Sequence, residues 1–590
     1  MAIRAWLKSP IQNVLEHRRA PLFLALLAFL LTLPSLRAGL IMDDYFHRIY
    51  LLHLGELGAS ANPVWDLFAF APARLVGSLQ DAGILPWWSD PGINIALGRP
   101  LTALTHMLDY ALWPDSPALQ HLHSLLWYAL GVGLVTALYR RLHACAAAAG
   151  LAGLLFAVED AHAMNAGWLA SRNALLCLVF GVGMLHLHVS WCRTRASRHL
   201  ILALFLFAAG LGCGEAVLGA AGCVVAWQLT CEKGSWRERI LPIAPYAVIV
   251  ILWRWLYNLH GYGVQGSDLY IDPGQQPLHF LGAMGERLPL LLTAQWLQAP
   301  VDMWLVLPRP AQAAASAVAA LLTACLLGIF WNLLRHSALA RFWALSMVLS
   351  LVPLCAAFPM DRLLLFAGIG GFGLMAALAE SCGLWPWQKT RSGSRTRRVA
   401  LVLLILHGPL AAALLIARTC ALPIVGGLFT PAARQAPRGP EVPGQTFVFV
   451  NGNDFLVAYL YAIRTATGDP AVPRRLAQLA SAADANLVRR ADTQTLVITA
   501  GSGFLAHAFD RLLARSGRRF SVGEQIERPD YIAEIRSLTS DGRPLEVAFR
   551  FRHPLENSAL RWLYWKNGRL IEFPLPSVGE TVGVEPGGAF

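Results

Sequence analysis

Apolar stretches close to the length that crosses a bilayer recur from about residue 21 to residue 425, and this pattern constrains the fold more than any other feature. The 590 residues are 56% hydrophobic and only 14% charged, which indicates the same class of protein. We therefore predict a polytopic α-helical membrane protein with about eleven spans. The expected spans are residues 21–42, 117–138, 143–158, 174–192, 199–213, 214–231, 240–258, 311–334, 342–358, 363–383 and 399–425.

Basic residues mark alternate connections between these spans. They cluster at residues 140–141, 193–198, 233–239, 335–341 and 389–398. Because cytoplasmic loops carry the Lys and Arg excess, the pattern predicts a cytoplasmic N terminus and an extracytoplasmic C terminus in the inner (cytoplasmic) membrane. Much of the net charge of +12 then lies beside anionic lipid, so the charge indicates no nucleic-acid partner.

Two adjacent carboxylates, Asp43 and Asp44, follow the first apolar run without a spacer and open the expected external loop 43–116. Ionisable residues at the membrane boundary are a functional-site hypothesis because they are costly to keep there. Each carboxylate raises the expected pKa of its neighbour toward that of a usable general base. The alternative is a solvated pair that only caps a helix. Trp87 and Trp88 are expected to be interfacial aromatics in the same loop.

The last part of the chain has a different composition. We expect a membrane domain at 1–429, a Pro-, Gly- and Arg-rich linker at 430–445 and an extracytoplasmic α+β domain at 446–590, large enough to have its own core. The patterns predict strands at 446–450, 495–499, 531–536, 545–551, 560–565 and 569–574, and helices at 454–465 and 504–515. This domain could hold an acceptor or a partner, or could simply stabilise the helix bundle.

Four stretches in the membrane domain carry motifs in a fixed order. They are Asp43-Asp44; Arg99-Pro100-Leu101-Thr102 with Thr105, Asp109, Tyr110, Trp113 and His121; His162, Trp168, Arg172 and Leu175; and Asp361-Arg362-Leu363 with Gly370. We call them the first to fourth matched stretches. A fifth, weaker stretch is Gly214-Glu215-Ala216-Val217. Together they resemble the GT-C superfamily of membrane glycosyltransferases. The closest resemblance is to the transmembrane and TPR-containing O-mannosyltransferases and their bacterial relatives.

The resemblance implies transfer of a sugar, with inversion, from a polyprenyl-phosphate donor to an exported protein, lipid or glycan. Asp43 or Asp44 would be the general base. A leaving phosphate requires hydrogen-bond donors and cations, and the candidates in or beside the matched stretches are Arg99, His106, His162, Arg172 and Arg362. Asp361 is a further candidate for binding the substrate. No cofactor is required. A divalent metal is compatible with two carboxylates and a histidine, but no ligand spacing indicates one.

Each arginine also has a structural interpretation. Arg99 could position the chain entering the second span, Arg172 could snorkel from the end of the fourth, and Asp361 and Arg362 could form an ion pair with each other.

The chain departs from the family at several positions, and two other functions stay open. Glu159 and Asp160 stand where the family has His and Pro, Gly214 stands for a Lys, and the TPR array is absent. The sugar and the acceptor are therefore undetermined. One alternative is a transporter or flippase for a lipid-linked glycan, which would need a charged residue in mid-span and pseudo-symmetric halves, neither of which is evident. The other is an inactive scaffold that presents the C-terminal domain.

Overall fold

The computed structural model describes residues 10–384, 394–507, 509–515 and 517–587. Lys389 and Arg391 of the last basic cluster lie outside the described residues. The chain forms two compact units. The first, here the membrane unit, comprises Met1–Leu40, Gly98–His260 and Pro273–Pro423. The second, here the α+β unit, comprises Ile41–Leu97, Gly261–Asp272 and Ile424–Phe590.

The membrane unit is built from apolar helices. In the described part of the chain, eight helices are long and apolar enough to cross a membrane: Ala20–Arg37, Pro117–Leu142, Leu169–Thr194, Trp236–Leu259, Arg309–His336, Ala338–Ala356, Asp361–Ser381 and Ser394–Leu428, the last of which runs on into the α+β unit. The bent pair Ala146–Val158 and Asp160–Gly167 would make a ninth. The polytopic helical fold is therefore confirmed.

The difference from about eleven expected spans has a simple cause. Two of the expected spans, 199–213 and 214–231, correspond to the apolar helices Ser197–Cys213 and Glu215–Thr230, which are shorter than the others. Every expected span thus coincides with an apolar helix, and only the length of these two separates them from the rest.

One long helix in this unit was not expected. Pro277–Leu297 lies in the segment 259–310, which the sequence indicated as a connection. Glu286 and Arg287 in its middle reduce its hydrophobicity, and this is why it does not resemble a span. Arg287 is nevertheless buried and donates to the Cys355 carbonyl at 2.9 Å. Further helices in the unit are Pro10–Glu16 and Pro100–Leu112.

Glycines allow the helix Leu365–Ser381 to pack closely in the centre of the unit. A Cβ on Gly370 would collide with the backbone of the Ala338–Leu351 helix, and a Cβ on Gly373 would overlap the indole of Trp343. Small residues at such contacts let helix backbones approach, which is how membrane helices associate. The packing therefore depends on the absence of side chains at these two positions.

The described residues of the α+β unit form three sheets. One is antiparallel, with order β1-β2-β3; a second has order β13-β6-β7-β10-β9-β8; a third has order β12-β11-β4-β5. The strands are β1 Ala69–Ala71, β2 Asn94–Ala96, β3 Gly263–Gln265, β4 Thr446–Phe449, β5 Arg475–Gln478, β6 Asn486–Arg490, β7 Thr495–Ala500, β8 Gln525–Glu527, β9 Tyr531–Leu538, β10 Pro544–Phe551, β11 Leu560–Lys566, β12 Arg569–Glu572 and β13 Thr581–Val584. Its α-helices are Asp44–Leu51, Gly55–Ala59, Pro63–Asp66, Val76–Asp81, Pro431–Gln435 and Asp454–Ala466.

Most of the expected elements after residue 445 are present. The six expected strands coincide with β4, β7, β9, β10, β11 and β12, and the first helix is found at Asp454–Ala466. The helix expected at 504–515 was wrong, because the described residues there contain only the 3₁₀ turn Phe509–Leu512. The strands β5, β6, β8 and β13 were not expected; each has only three to five residues.

The segment 41–97 belongs to the α+β unit and shares its core. Trp87 is buried, its ring makes edge contacts with Phe504 and Phe549, and its Nε1 donates to the Leu479 carbonyl at 3.1 Å. Trp88 is also buried. The expectation that both are interfacial aromatics was therefore wrong, since these rings are covered by strands and loops from the last third of the chain.

Gly83 marks a second close contact between these two parts of the unit. Its φ is +75°, and a Cβ there would overlap the Leu476 carbonyl. Beside this contact, the Leu476 amide donates a hydrogen bond to the Ala82 carbonyl at 2.9 Å. Glycine is needed because it combines a left-handed backbone with the absence of a side chain.

Candidate active site

The two adjacent carboxylates have different environments in the α+β unit. Asp44 lies in the first turn of the Asp44–Leu51 helix, is buried, and its Oδ2 accepts from the Ile41 amide at 2.9 Å. This bond closes the turn in which Met42 has a φ of +46°. Asp43 is only partly buried, and its Oδ1 accepts from the Tyr459 hydroxyl at 2.8 Å. Asp44 therefore stabilises the local backbone, whereas Asp43 interacts with a residue far away in the sequence.

The partner of Asp43 is enclosed by aromatic rings. The Tyr459 ring lies 5.9 Å from Phe46 and 5.5 Å from Phe429, centroid to centroid. Burial, and then the charge of Asp43, raise the pKa of the Tyr459 phenol well above its ordinary value. The phenol is therefore a neutral hydrogen-bond donor over the physiological pH range.

In the membrane unit, a buried ion pair joins the second and third matched stretches. Arg172 and Asp109 are both fully buried, with Nη2 and Oδ2 2.5 Å apart. His123 Nδ1 lies 2.6 Å from the other Asp109 oxygen. The remaining guanidinium contacts are Nε to Ser124 Oγ at 2.9 Å, Nη2 to the Gln120 carbonyl at 2.9 Å and Nη1 to the Thr105 carbonyl at 3.3 Å. Arg172 thus uses its donors within the protein.

A second ion pair joins the second matched stretch to the weaker one. Arg99 donates through Nε and Nη2 to Glu215 Oε2 at 3.1 and 2.9 Å, and the Tyr257 hydroxyl donates to Oε1 at 2.9 Å. Gly214 lies beside Arg99, at the position where the motif that this stretch resembles has Lys. A Cβ on Gly214 would lie 3.5 Å from Arg99 Nε. Arg99 therefore does more than direct the chain into the helix Pro100–Leu112.

The third and fourth matched stretches meet at Arg362. Its guanidinium carbon lies 5.3 Å from the centroid of the Trp168 ring, and its carbonyl accepts from Asn165 Nδ2 at 2.8 Å. Its Nε contacts Met360 Sδ at 3.4 Å. The two terminal nitrogens donate no hydrogen bond to any residue that the structure describes. Arg362 therefore keeps terminal donors for a ligand.

Asp361 does not pair with its neighbour Arg362, so that structural interpretation was wrong. Its Oδ2 instead lies 2.7 Å from Arg418 Nη1, and its Oδ1 accepts from the Val301 amide at 3.2 Å. Arg418 also contacts Asp160 at 3.0 Å. Asp361 is therefore placed to hold the start of the span Asp361–Ser381 in position. Arg418 lies inside the span Ser394–Leu428. The expectation that no charged residue is evident in mid-span was therefore wrong.

The candidate histidines are enclosed. His162 is fully buried, with Nδ1 3.1 Å from the Tyr128 hydroxyl and its ring 4.6 Å from Phe156. His106 is buried on the Pro100–Leu112 helix. No three His, Cys, Asp or Glu side chains in the described ranges are grouped to hold a metal ion.

Three residues of these sites were missed from the sequence. Asp109 was part of the second matched stretch but was not assigned a role, although a buried arginine requires a counter-charge. Tyr459 had no signal, since it lies in a stretch without a recognised motif. Arg418 could have been found, because a charge within an apolar run is itself a signal.

Comparison with known proteins finds similarity only at the level of solved structures. No family model and no curated protein matches the chain. The oligosaccharyltransferase of Archaeoglobus fulgidus in the apo form is matched with a TM-score of 0.41 and 12% identity, over 79% of this chain and 65% of that one. The same organism's oligosaccharyltransferase AglB, in complex with an inhibitory peptide and a dolichol-phosphate, gives a TM-score of 0.37 and 11% identity over 77% and 64%. ArnT from Cupriavidus metallidurans in the apo state gives 0.34 and 14% over 77% and 88%.

This chain therefore spans slightly less than two thirds of the length of the oligosaccharyltransferase chains that it matches, at 65% and 64%.

Proposed function

We propose that the protein is a membrane glycosyltransferase that transfers a sugar from a polyprenyl-phosphate donor to an exported protein, lipid or glycan. The observation that carries this proposal is that the matched stretches of the membrane unit contact one another. Asp109 of the second contacts Arg172 of the third, and Arg362 of the fourth lies against Trp168 of the third. Stretches that are distant in the chain but resemble GT-C motifs are expected to meet if they build one site.

Asp43 is the better candidate for the general base. Asp44 already accepts the Ile41 amide and is buried, so protonation there would disturb the turn. Asp43 is more accessible. In the proposed reaction, Asp43 takes the proton of the acceptor hydroxyl as its oxygen attacks the anomeric carbon. The bond between that carbon and the phosphate oxygen breaks, and the lipid phosphate leaves with inversion at the sugar.

Arg362 is the better candidate for binding the donor phosphate. A leaving phosphate is stabilised by planar cationic donors, and the cation–π contact with Trp168 holds the Arg362 guanidinium beside that ring. Arg172 and Arg99 are assigned to the scaffold, since Asp109 and Glu215 neutralise them. His106, His162 and Asp361 are assigned to the same scaffold. No cofactor is part of this proposal.

The proposed orientation follows from the basic connections. The N terminus lies in the cytoplasm, the protein lies in the inner membrane, and the α+β unit lies outside the cytoplasm. A lipid-linked donor then reaches the protein sideways from the bilayer.

The test is turnover by the purified full chain in lipid nanodiscs, given a panel of labelled polyprenyl-phosphate sugars and a bacterial envelope extract as the source of acceptors. We expect Asp43→Asn to lower kcat by about 10²–10⁴-fold. Asp81→Asn, at an exposed carboxylate of the same unit, should match the wild type. Arg362→Gln should lower kcat/KM by about 10²–10³-fold. Full activity of Asp43→Asn would contradict the assignment of the base. Translocation of the donor across vesicles without turnover would contradict the proposed reaction.

A further inference from the structure

A helix from the last third of the chain contacts the segment that carries the acidic pair. The Tyr459 hydroxyl donates to Asp43 Oδ1 at 2.8 Å, and Arg48 Nε donates to the Ala466 carbonyl at 2.9 Å. The Phe46 ring packs on the Tyr459 ring. The residue that precedes the Asp44–Leu51 helix and Arg48 within it thus both contact the Asp454–Ala466 helix, so the orientation of the acidic pair depends on residues more than 400 positions away.

The Asp43–Tyr459 contact has the character of a positioning interaction. Tyr459 is buried, so few water molecules compete with the Asp43 carboxylate for its hydroxyl. A neutral phenol that donates to a carboxylate favours the charged form of that carboxylate. With Oδ1 held in one place, the direction of Oδ2 is fixed as well. Orientation of this kind is what a general base requires, because small displacements of a catalytic group reduce the rate strongly.

We propose that Tyr459 is a positioning residue for Asp43, so that the C-terminal part of the chain takes part in the reaction by orienting the base. The inference rests on the proposed function. It gives this part of the chain a role that neither holding an acceptor nor covering the bundle would provide. It also accounts for a buried tyrosine hydroxyl placed against a carboxylate, where a phenylalanine would fill nearly the same space.

The proposal predicts a change in the pH profile. Loss of the donated hydrogen bond makes the charged form of Asp43 less favourable and raises the pKa of Asp43. In Tyr459→Phe, the acid limb of the kcat/KM profile should therefore move to higher pH by about one unit. At neutral pH kcat should fall by about tenfold, because the base is also less well oriented. KM for the donor should change by less than about twofold if the donor does not contact this residue.

The matched control is Tyr461→Phe. Tyr461 lies on the same helix and is partly buried, and besides burial the groups that act on the pKa of its phenol are Thr465 and Glu56 rather than the acidic pair. Both variants are measured in the full chain in nanodiscs between pH 5 and pH 9, together with their melting temperatures. Tyr461→Phe should keep the wild-type pH profile. A Tyr459→Phe variant that melts lower but keeps the wild-type profile would overturn the proposal, since a merely structural tyrosine behaves in that way.

An independent measurement separates this inference from the proposed function. Infrared difference spectra between the wild type and Asp43→Asn report the carboxyl band of Asp43 at each pH, without turnover. The midpoint should move to higher pH when the same difference is taken in the Tyr459→Phe background. If the wild type turns over, Asp43→Asn does not, and neither the midpoint nor the rate profile responds to Tyr459→Phe, only the role of Tyr459 fails. If the wild type is inactive with every donor, the proposed function fails, and an unchanged midpoint then overturns the positioning role as well.

Discussion

Arg172 and Asp109 form an ion pair with no exposed side-chain surface, and removing one partner leaves a buried charge. Breaking such a pair costs about 3–5 kcal/mol, because the remaining ion has lost its counter-charge and cannot reach water. We therefore expect Arg172→Met to lower the free energy of unfolding by about that amount. Asp109→Leu should cost a similar amount, because it leaves the guanidinium unbalanced.

The double variant separates pairing from simple loss of contacts. Arg172→Met with Asp109→Leu removes both charges, so its penalty should be smaller than the sum of the two single penalties by about 2 kcal/mol. It still loses the bonds to Ser124 and to the Gln120 carbonyl, so it should not regain wild-type stability. The matched control is Arg195→Met, whose side chain is 61% exposed and 3.5 Å from Glu232. That change should cost less than about 1 kcal/mol.

The assay is a denaturant titration of the full chain in mixed micelles, followed by turnover of the variants that remain folded. If Arg172→Met costs no more than Arg195→Met, or if the two single penalties add without interaction, the buried pair does not stabilise the protein and the reasoning fails. The folded double variant should transfer sugar within about tenfold of the wild type, because Arg362 is assigned to the phosphate. A loss of about 10³-fold would return that role to Arg172.

Three further predictions concern single positions. Gly373→Ala should destabilise the protein by about 1–3 kcal/mol, because the new Cβ overlaps the Trp343 indole. The control Gly328→Ala has open space around it and should be neutral or stabilising by up to about 1 kcal/mol in the same titration. Gly83→Ala should prevent the segment 41–97 from packing, seen as rapid proteolysis of that segment. The Ala471 amide holds the pKa of Asp469 below its usual value, so this carboxylate stabilises the fold above about pH 4 and the contribution is lost as the pH falls. Asp469→Asn should therefore melt lower than the wild type at neutral pH, and the difference should shrink in acid.

The spans were the part of the fold that the sequence predicted best. Apolar content over some twenty residues is a local property, so the helices Pro117–Leu142 and Arg309–His336 could be placed to within a few residues. The helix Pro277–Leu297 shows the limit of this signal. Its central charges resemble those of a loop. The hydrogen bond from Arg287 to the Cys355 carbonyl, which the sequence does not show, helps the buried charge to be tolerated.

The candidate site was less predictable because partners are not encoded locally. The third matched stretch marked Arg172 as a candidate site residue, but nothing in the spacing shows that Asp109 neutralises it. For the same reason the ion pair considered for Asp361 was with the adjacent Arg362, whereas Asp361 contacts Arg418. The contact of Asp43 with Tyr459 joins positions whose local sequences carry no shared pattern.

The α+β unit is assembled from three pieces of chain that a ribosome delivers at very different times. Residues 41–97 emerge first, and β2 waits for β3 at Gly263–Gln265 while the helices between them are inserted. The residues that cover Trp87 are translated only after Pro423. Until then Trp87 lacks its cover and the sheet is incomplete. Nascent chains that stop early should therefore be recognised and degraded by surveillance proteases, and chains that reach full length become resistant only when the last piece arrives.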